Sequence, residues 1–262
     1  MRNGVAVVVC VSIAACLAAS AFVAQAQSPY RLVLDWPTIP SGMFFGTRDG
    51  FPDPDARAAQ QAAQRAQGGA RGGGGSPAQA RFGVGVAGIA IDDEDNIYVF
   101  NRGEPTVAVF NREGRYVRGS DVADQSGQPI TGSWVHAGEV DWEGNAWVVE
   151  RDNHRIVKLS ADLSTVVMQL GTTGEPGNDE THFNLPAGVG FTRAGNIIVT
   201  DGYGNNRVAM FSKDGRFIRQ ISRGAGGPDD AGSGPGELAL PHQVAVDASD
   251  TVYIQETRNS RV

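Results

Sequence analysis

Two histidines, His136 in "VHAGEV" and His242 in "PHQVAV", each open a short apolar run, and they stand 106 residues apart. Imidazole is the commonest metal-ligating side chain, and it is equally a packing group that hydrogen-bonds through a ring nitrogen. Three imidazoles meeting on one axis would make an open zinc site, with the fourth position left for water or substrate. The two histidines alone leave metal binding and packing both open. Tyr203, in "TDGYGNN", places a phenol between glycines, where it is either a working hydroxyl or an aromatic lid over the core. Arg102 in "FNRGEP" and Arg151 in "ERDNH" follow strand-like runs, and each could face a channel mouth or solvent. His154 sits at a strand junction and reads as packing or surface.

What must position these side chains is a repeat. "GIAIDDEDNIYVFNRG", "AGEVDWEGNAWVVERD", "AGVGFTRAGNIIVTDG" and "HQVAVDASDTVYIQET" each read as strand, polar turn, strand and polar end. The turn positions Asn96, Asn145, Asn196 and Thr251 are separated by 49, 51 and 55 residues. A third strand ("TVAVF", "RIVKL", "RVAMF") and a fourth ("RYVRG", "TVVMQ", "RFIRQ") follow in three of the units. Four short antiparallel strands repeated at about 50 residues describe a β-propeller blade. The expected blades span 87–120, 136–171 and 186–222, with a fourth from 241 that breaks off at "NSRV". About three and a half blades are therefore expected here, with the ring closed by blades beyond Val262.

The repeat gives each histidine a coordinate, nine residues before its turn position, where the other two units carry Ala87 and Ala187. The first strand of a propeller blade is innermost, so imidazoles from alternate blades would face each other across the axis. A third histidine would then lie about 100 residues after His242. Asn101, Glu150, Asp201 and Glu256, with the later Arg155, Arg207 and Arg261, recur from unit to unit and read as blade-stabilising groups. "GVGVAG" matches a dinucleotide fingerprint in letters, but it leads into a strand with no helix to receive a pyrophosphate.

Composition bounds the rest. The chain has 262 residues, 41% of them apolar, with 35 glycines, 13 prolines and a net charge of −7. Without a basic cluster, nucleic acid is not an expected partner. Residues 1–26 read as a secretory signal peptide, with a rival reading in which "IAAC" is a lipoprotein box and Cys16 is lipidated. Localisation is accordingly expected to be secreted or periplasmic, and membrane attachment only through Cys16. Both cysteines, Cys10 and Cys16, lie in this segment, so a processed chain has no disulfide. Residues 27–51 read as a strand-bearing extension, 52–80 as an Ala/Gln- and Gly-rich low-complexity loop, and 81–262 as the repeat. A monomer is expected.

"PGNDETHFNLPAGVGF", "VTDGYGNNRVAMFSKDGRFIRQ" and "GPGELALPHQVAVD" resemble, in order, consecutive motifs of the NHL-repeat propellers, and among these the peptidyl-α-hydroxyglycine α-amidating lyases. The resemblance covers 81–262 and implies an all-β, six-bladed NHL-type propeller. It implies a zinc ion held by His136, His242 and a histidine beyond Val262, with Tyr203 and Arg102 catalytic. It also implies a structural calcium on the backbone carbonyls of Ile89 and Gly138 with a later aspartate. The implied reaction cleaves an α-hydroxyglycine amide, a peptide or smaller substrate, into an amide and glyoxylate. Two departures stand out. Glu256–Thr257 occupies the place of an Asp-Arg pair whose arginine helps hold substrate, and Asn184 and Gly204 replace two disulfide-forming cysteines of the animal enzymes. A non-catalytic exported propeller that binds a peptide, glycan or protein is the alternative. A different propeller hydrolase or lyase using a channel metal is a third.

Overall fold

The computed structural model describes residues 36–41, 43, 85–120, 127, 130 and 135–262. Residues 1–26, read from the sequence as a signal peptide, most of residues 27–51 and the 52–80 stretch lie outside the described residues.

Among the described residues of Pro37–Val262, three four-stranded antiparallel sheets and one two-stranded sheet follow in sequence order. The first blade is β1 (Val86–Ile91), β2 (Ile97–Asn101), β3 (Val107–Phe110) and β4 (Tyr116–Ser120). The second is β5 (Val135–Val140), β6 (Ala146–Glu150), β7 (Arg155–Leu159) and β8 (Val166–Leu170). The third is β9 (Gly188–Phe191), β10 (Ile197–Asp201), β11 (Arg207–Phe211) and β12 (Phe217–Ser222). β13 (Pro241–Val246) and β14 (Val252–Glu256) begin the fourth, and a single bridge from Glu256 to Arg261 marks its next strand position. The blades fall where the repeat placed them, and "GVGVAG" runs into β1 rather than a helix.

The hairpin turns show why the repeat reads as it does. Asp92, Asp141 and Asp247 each accept backbone N–H groups two and four residues on, capping the turn. Thr192 does the second of these jobs with its hydroxyl in the third blade. The residue before each turn position is left-handed: Gly144 and Gly195 take this conformation freely, and Asp95 and Asp250 adopt it with φ of 61° and 64°.

Alternation along β6 buries both faces. Ala146 and Val148 join a core with Tyr98 and Phe100 of the first blade, while Trp147 and Val149 join one with Val189 and Phe191 of the third. In β10, Ile197 and Val199 face the second blade and Ile198 packs with Val244 and Ile254 of the fourth. Blades therefore stack face to face, and the period-2 pattern is apolar on both sides. The recurrent acids and arginines close the strands. Glu150 pairs with Arg155 and Asp201 with Arg207 at 2.9 Å, all four side chains fully buried, and Glu256 pairs with Arg261 at 2.6 Å. Removing one partner of such a buried pair costs about 3–5 kcal/mol. In the first blade Asn101 stands in the acid's place and donates to Pro105 O at 3.2 Å.

Candidate functional site

Both histidines are the extra residue of a β-bulge. Pairing of β5 with β6 skips from Val135 to Ala137, and pairing of β13 with β14 skips from Pro241 to Gln243. The bulge frees His136 and His242 from the in–out alternation of their strands and re-aims each side chain. The first blade has the same bulge around Ala87, without a functional side chain to aim. Tyr203 is brought in by the loop after β10. Its N–H donates to Leu185 O at 3.3 Å and the next N–H, of Gly204, to Asn184 O at 2.9 Å. Gly202 has no room for a side chain, because a Cβ would collide with the Pro241 carbonyl. The tyrosine loop thereby passes directly over the start of β13, next to His242. At the pair that replaces the cysteines, Asn184 Nδ2 also donates to Gly204 O at 3.2 Å, and a Cβ on Gly204 would strike the Asn184 side chain. Hydrogen bonds hold this loop.

The three side chains meet at one oxygen. Tyr203 Oη lies 3.1 Å from His136 Nε2 and 2.9 Å from His242 Nε2, and the two imidazole centroids are 5.0 Å apart. Proton bookkeeping fixes the tautomers. His136 Nδ1 is 2.9 Å from Ala187 O, which can only accept, so Nδ1 carries the hydrogen. Burial holds the His136 pKa down at about 4, and the charges of His242, Arg151 and Arg102 act in the same direction. The ring is neutral near pH 7, and its Nε2 presents a lone pair to the Tyr203 hydroxyl. That hydroxyl has one hydrogen, so His242 must donate Nε2–H back to the phenolic oxygen. Burial, then the charge of Arg151, lowers the His242 pKa as well.

These residues fit a metal in two respects. The imidazole Nε2 atoms converge on a common locus, and His136 has the carbonyl partner on its second nitrogen that commonly orients a ligating histidine. Among the described residues, no three His, Cys, Asp or Glu side chains are arranged to hold a metal ion. Arg102 Nε donates to Val135 O at 2.8 Å, which ties it to the residue before His136. Burial, then the nearby charge of Arg151, lowers the Arg102 pKa. Arg151 sits with its Cζ 5.2 Å from the Tyr203 ring centroid and bonds Asp152 through two nitrogens, at 2.6 and 3.1 Å. Ile89 and Gly138 lie on the adjacent innermost strands β1 and β5. There Gly88 packs against Gly138, where a Cβ on Gly88 would stand 3.3 Å from the Gly138 nitrogen. Thr257 is exposed, its N–H bonded to Leu240 O at 3.0 Å. Two clefts of about 370 and 410 Å³ flank Trp142 beyond the far end of β5, and none of the site residues lines them.

A family model described as a 6-bladed beta-propeller matches residues 139–262. The probable peptidyl-alpha-hydroxyglycine alpha-amidating lyase of Caenorhabditis elegans is 29% identical over 158 residues, which is 60% of this chain and 42% of the worm protein. NHL repeat-containing protein 3 of Mus musculus is 28% identical over 187 residues, 66% of this chain and 50% of that protein. The chain has the fold of a partial β-propeller and is similar in sequence to an amidating lyase and to an NHL-repeat protein. An auxiliary nutrient binding protein from Bacteroides ovatus shares the fold, with a TM-score of 0.53 at 16% identity over 68% of this chain and 47% of that one. The matched region spans about two fifths to a half of the length of these curated relatives.

Within this propeller, His136, His242 and Tyr203 form one cluster, as the repeat arithmetic anticipated for the histidines. Arg102 stands beside it, anchored to β5. The arginine left open by the sequence, Arg151, is the one stacked on Tyr203. Its signal was present, since it occupies the same place as Arg102, directly after the strand-closing residue of its blade. The Ala187 carbonyl left no signal, because a backbone acceptor can belong to any residue.

Proposed function

We propose that this propeller carries the site of a zinc-dependent lyase of the peptidylamidoglycolate type, cleaving an α-hydroxyglycine amide to an amide and glyoxylate. The observation that supports it is the Tyr203 hydroxyl held between the Nε2 atoms of His136 and His242. In this reading His136 and His242 hold the metal through Nε2, with a third ligand expected two blade periods after His242. Zinc bound there supplies a Lewis acid for the substrate oxygens. Tyr203 takes the proton of the substrate hydroxyl as general base. The O–H electron pair becomes the carbonyl of glyoxylate, the C–N bond breaks, and the departing amide nitrogen takes up a proton. Arg102 stands where its charge would oppose the developing oxyanion. Calcium on the carbonyls of Ile89 and Gly138, and export of the chain, belong to the same proposal.

The test is glyoxylate release from a peptidyl-α-hydroxyglycine by the zinc-supplemented protein. Tyr203→Phe is expected to lower turnover by about 100-fold or more while zinc content stays unchanged. Retained turnover removes Tyr203 from the chemistry, and lost zinc makes its role structural. A second reading, a non-catalytic propeller that binds a partner on its loop face, is supported by the likeness to an NHL repeat-containing protein. Under that reading, neither zinc nor turnover depends on His136 or His242.

A further inference from the structure

Tyr203 lies between two glycines, Gly202 and Gly204, and the residue is 36% exposed. Such a loop does not by itself hold a phenol in one place. Two contacts from a single turn of the second blade do. Residues Arg151–Asn153 form one 3-10 turn, closed by His154 N–H donating to Arg151 O at 3.0 Å. From that turn His154 Nδ1 accepts the Leu185 N–H at 3.1 Å, and Leu185 O in turn accepts the Tyr203 N–H at 3.3 Å. His154 and Leu185 are both left-handed, with φ of 56° and 57°, a conformation that costs a residue with a side chain unless its surroundings fix it. The backbone of the tyrosine loop is thus pinned from one side. From the other, the Arg151 guanidinium lies over the ring face, and Asp152 grips its edge through both carboxylate oxygens.

The geometry points to Arg151 as a positioning residue for Tyr203: the Asp152–Arg151 pair clasps the ring from the neighbouring blade and holds its hydroxyl between His136 and His242. The clasp rests on the proposed lyase reading only for its kinetic consequence. A cation over an aromatic face needs the charge and the planar contact, and the fork to Asp152 needs an arginine. Gly103, the counterpart of Asp152 in the first blade, has no carboxylate, so only the second blade carries the pair.

The experiment uses the full-length protein with 3-fluorotyrosine incorporated, the Tyr203 ¹⁹F resonance being assigned by its loss in Tyr203→Phe. Arg151→Gln is expected to move that resonance toward the free-tyrosine position, and Arg151→Lys to keep it nearer its original place. Asp152→Asn, which leaves the guanidinium but weakens its grip, is expected to move it part of the way. In glyoxylate release, Arg151→Gln is expected to lower kcat about tenfold with KM within about twofold, and lysine, which keeps the charge but not the plane or the fork, to restore only part of the loss. If the resonance and kcat are both indifferent to Arg151→Gln, the clasp is wrong while the lyase stands. If the wild-type protein releases no glyoxylate but the resonance follows Arg151, the lyase reading falls and the clasp survives. A KM rise at constant kcat with an unmoved resonance overturns the clasp and makes Arg151 a substrate contact.

Discussion

Tyr203 shows how little of a site resides in any one side chain. Its hydroxyl donates to His136 because Ala187 O has already taken the other imidazole hydrogen, and it accepts from His242 because its single hydrogen is spent. The arrangement stands while both rings are neutral, and for His136 the pKa held at about 4 keeps the ring so throughout the neutral range. Metal binding at Nε2 uses the same lone pair on His136 and requires His242 to carry its hydrogen on Nδ1 instead. His136→Ala and His242→Ala are therefore each expected to abolish stoichiometric zinc binding, read by metal analysis after dialysis. Zinc retained by both variants would move the ion elsewhere and take the proposed chemistry with it.

At the scale of the element, the bulge and the turn carry most of the design. A bulge at the start of β5 and of β13 costs one ladder pairing and in exchange re-aims one side chain. At the other end of β5, Asp141 accepts from Glu143 N, Asn145 N and Nδ2 and Trp147 Nε1, and pairs with Lys158 Nζ at 2.9 Å. Burial raises its pKa, but the hydrogen bonds from Trp147, Lys158 and Asn145 outweigh that and leave it lowered. A lowered carboxylate pKa means stability that is present above the unfolded value, near pH 4, and lost as pH falls toward the folded one. Asp141→Ala is expected to cost about 2 kcal/mol at pH 7 by urea unfolding, with the gap to wild type closing below about pH 4. A gap that is constant with pH would mean the loss is not electrostatic. At the blade interface, Gly138→Ala drives a methyl into the Phe100 ring and is expected to cost about 1–3 kcal/mol in the same assay. A neutral effect there would show that the first and second blades can separate without loss.

For the whole molecule, the fold was legible because it is written repeatedly. Asp92, Asp141 and Asp247 each announce a hairpin, and Glu150–Arg155, Asp201–Arg207 and Glu256–Arg261 each close a strand end, so the period survives local noise. The same composition argument gives residues 52–80 no apolar face to pack, and their deletion is expected to shift the melting temperature by no more than about 2 °C. A large fall would show that the stretch contributes to the core. What the sequence determined by itself was the order and spacing of the blades, and hence that His136 and His242 occupy equivalent places two blades apart. It could not say which of Arg102 and Arg151 meets Tyr203, since both follow a strand-closing residue in the same register. Nor could it show that Tyr203 stands between the histidines, because that loop is set by Leu185, Asn184 and Pro241, which belong to other segments of the chain. Period and polarity are local properties of a strand and pass directly from sequence to structure. The meeting of three side chains at one oxygen depends on how one blade stacks on the next, and only the tertiary structure decided that.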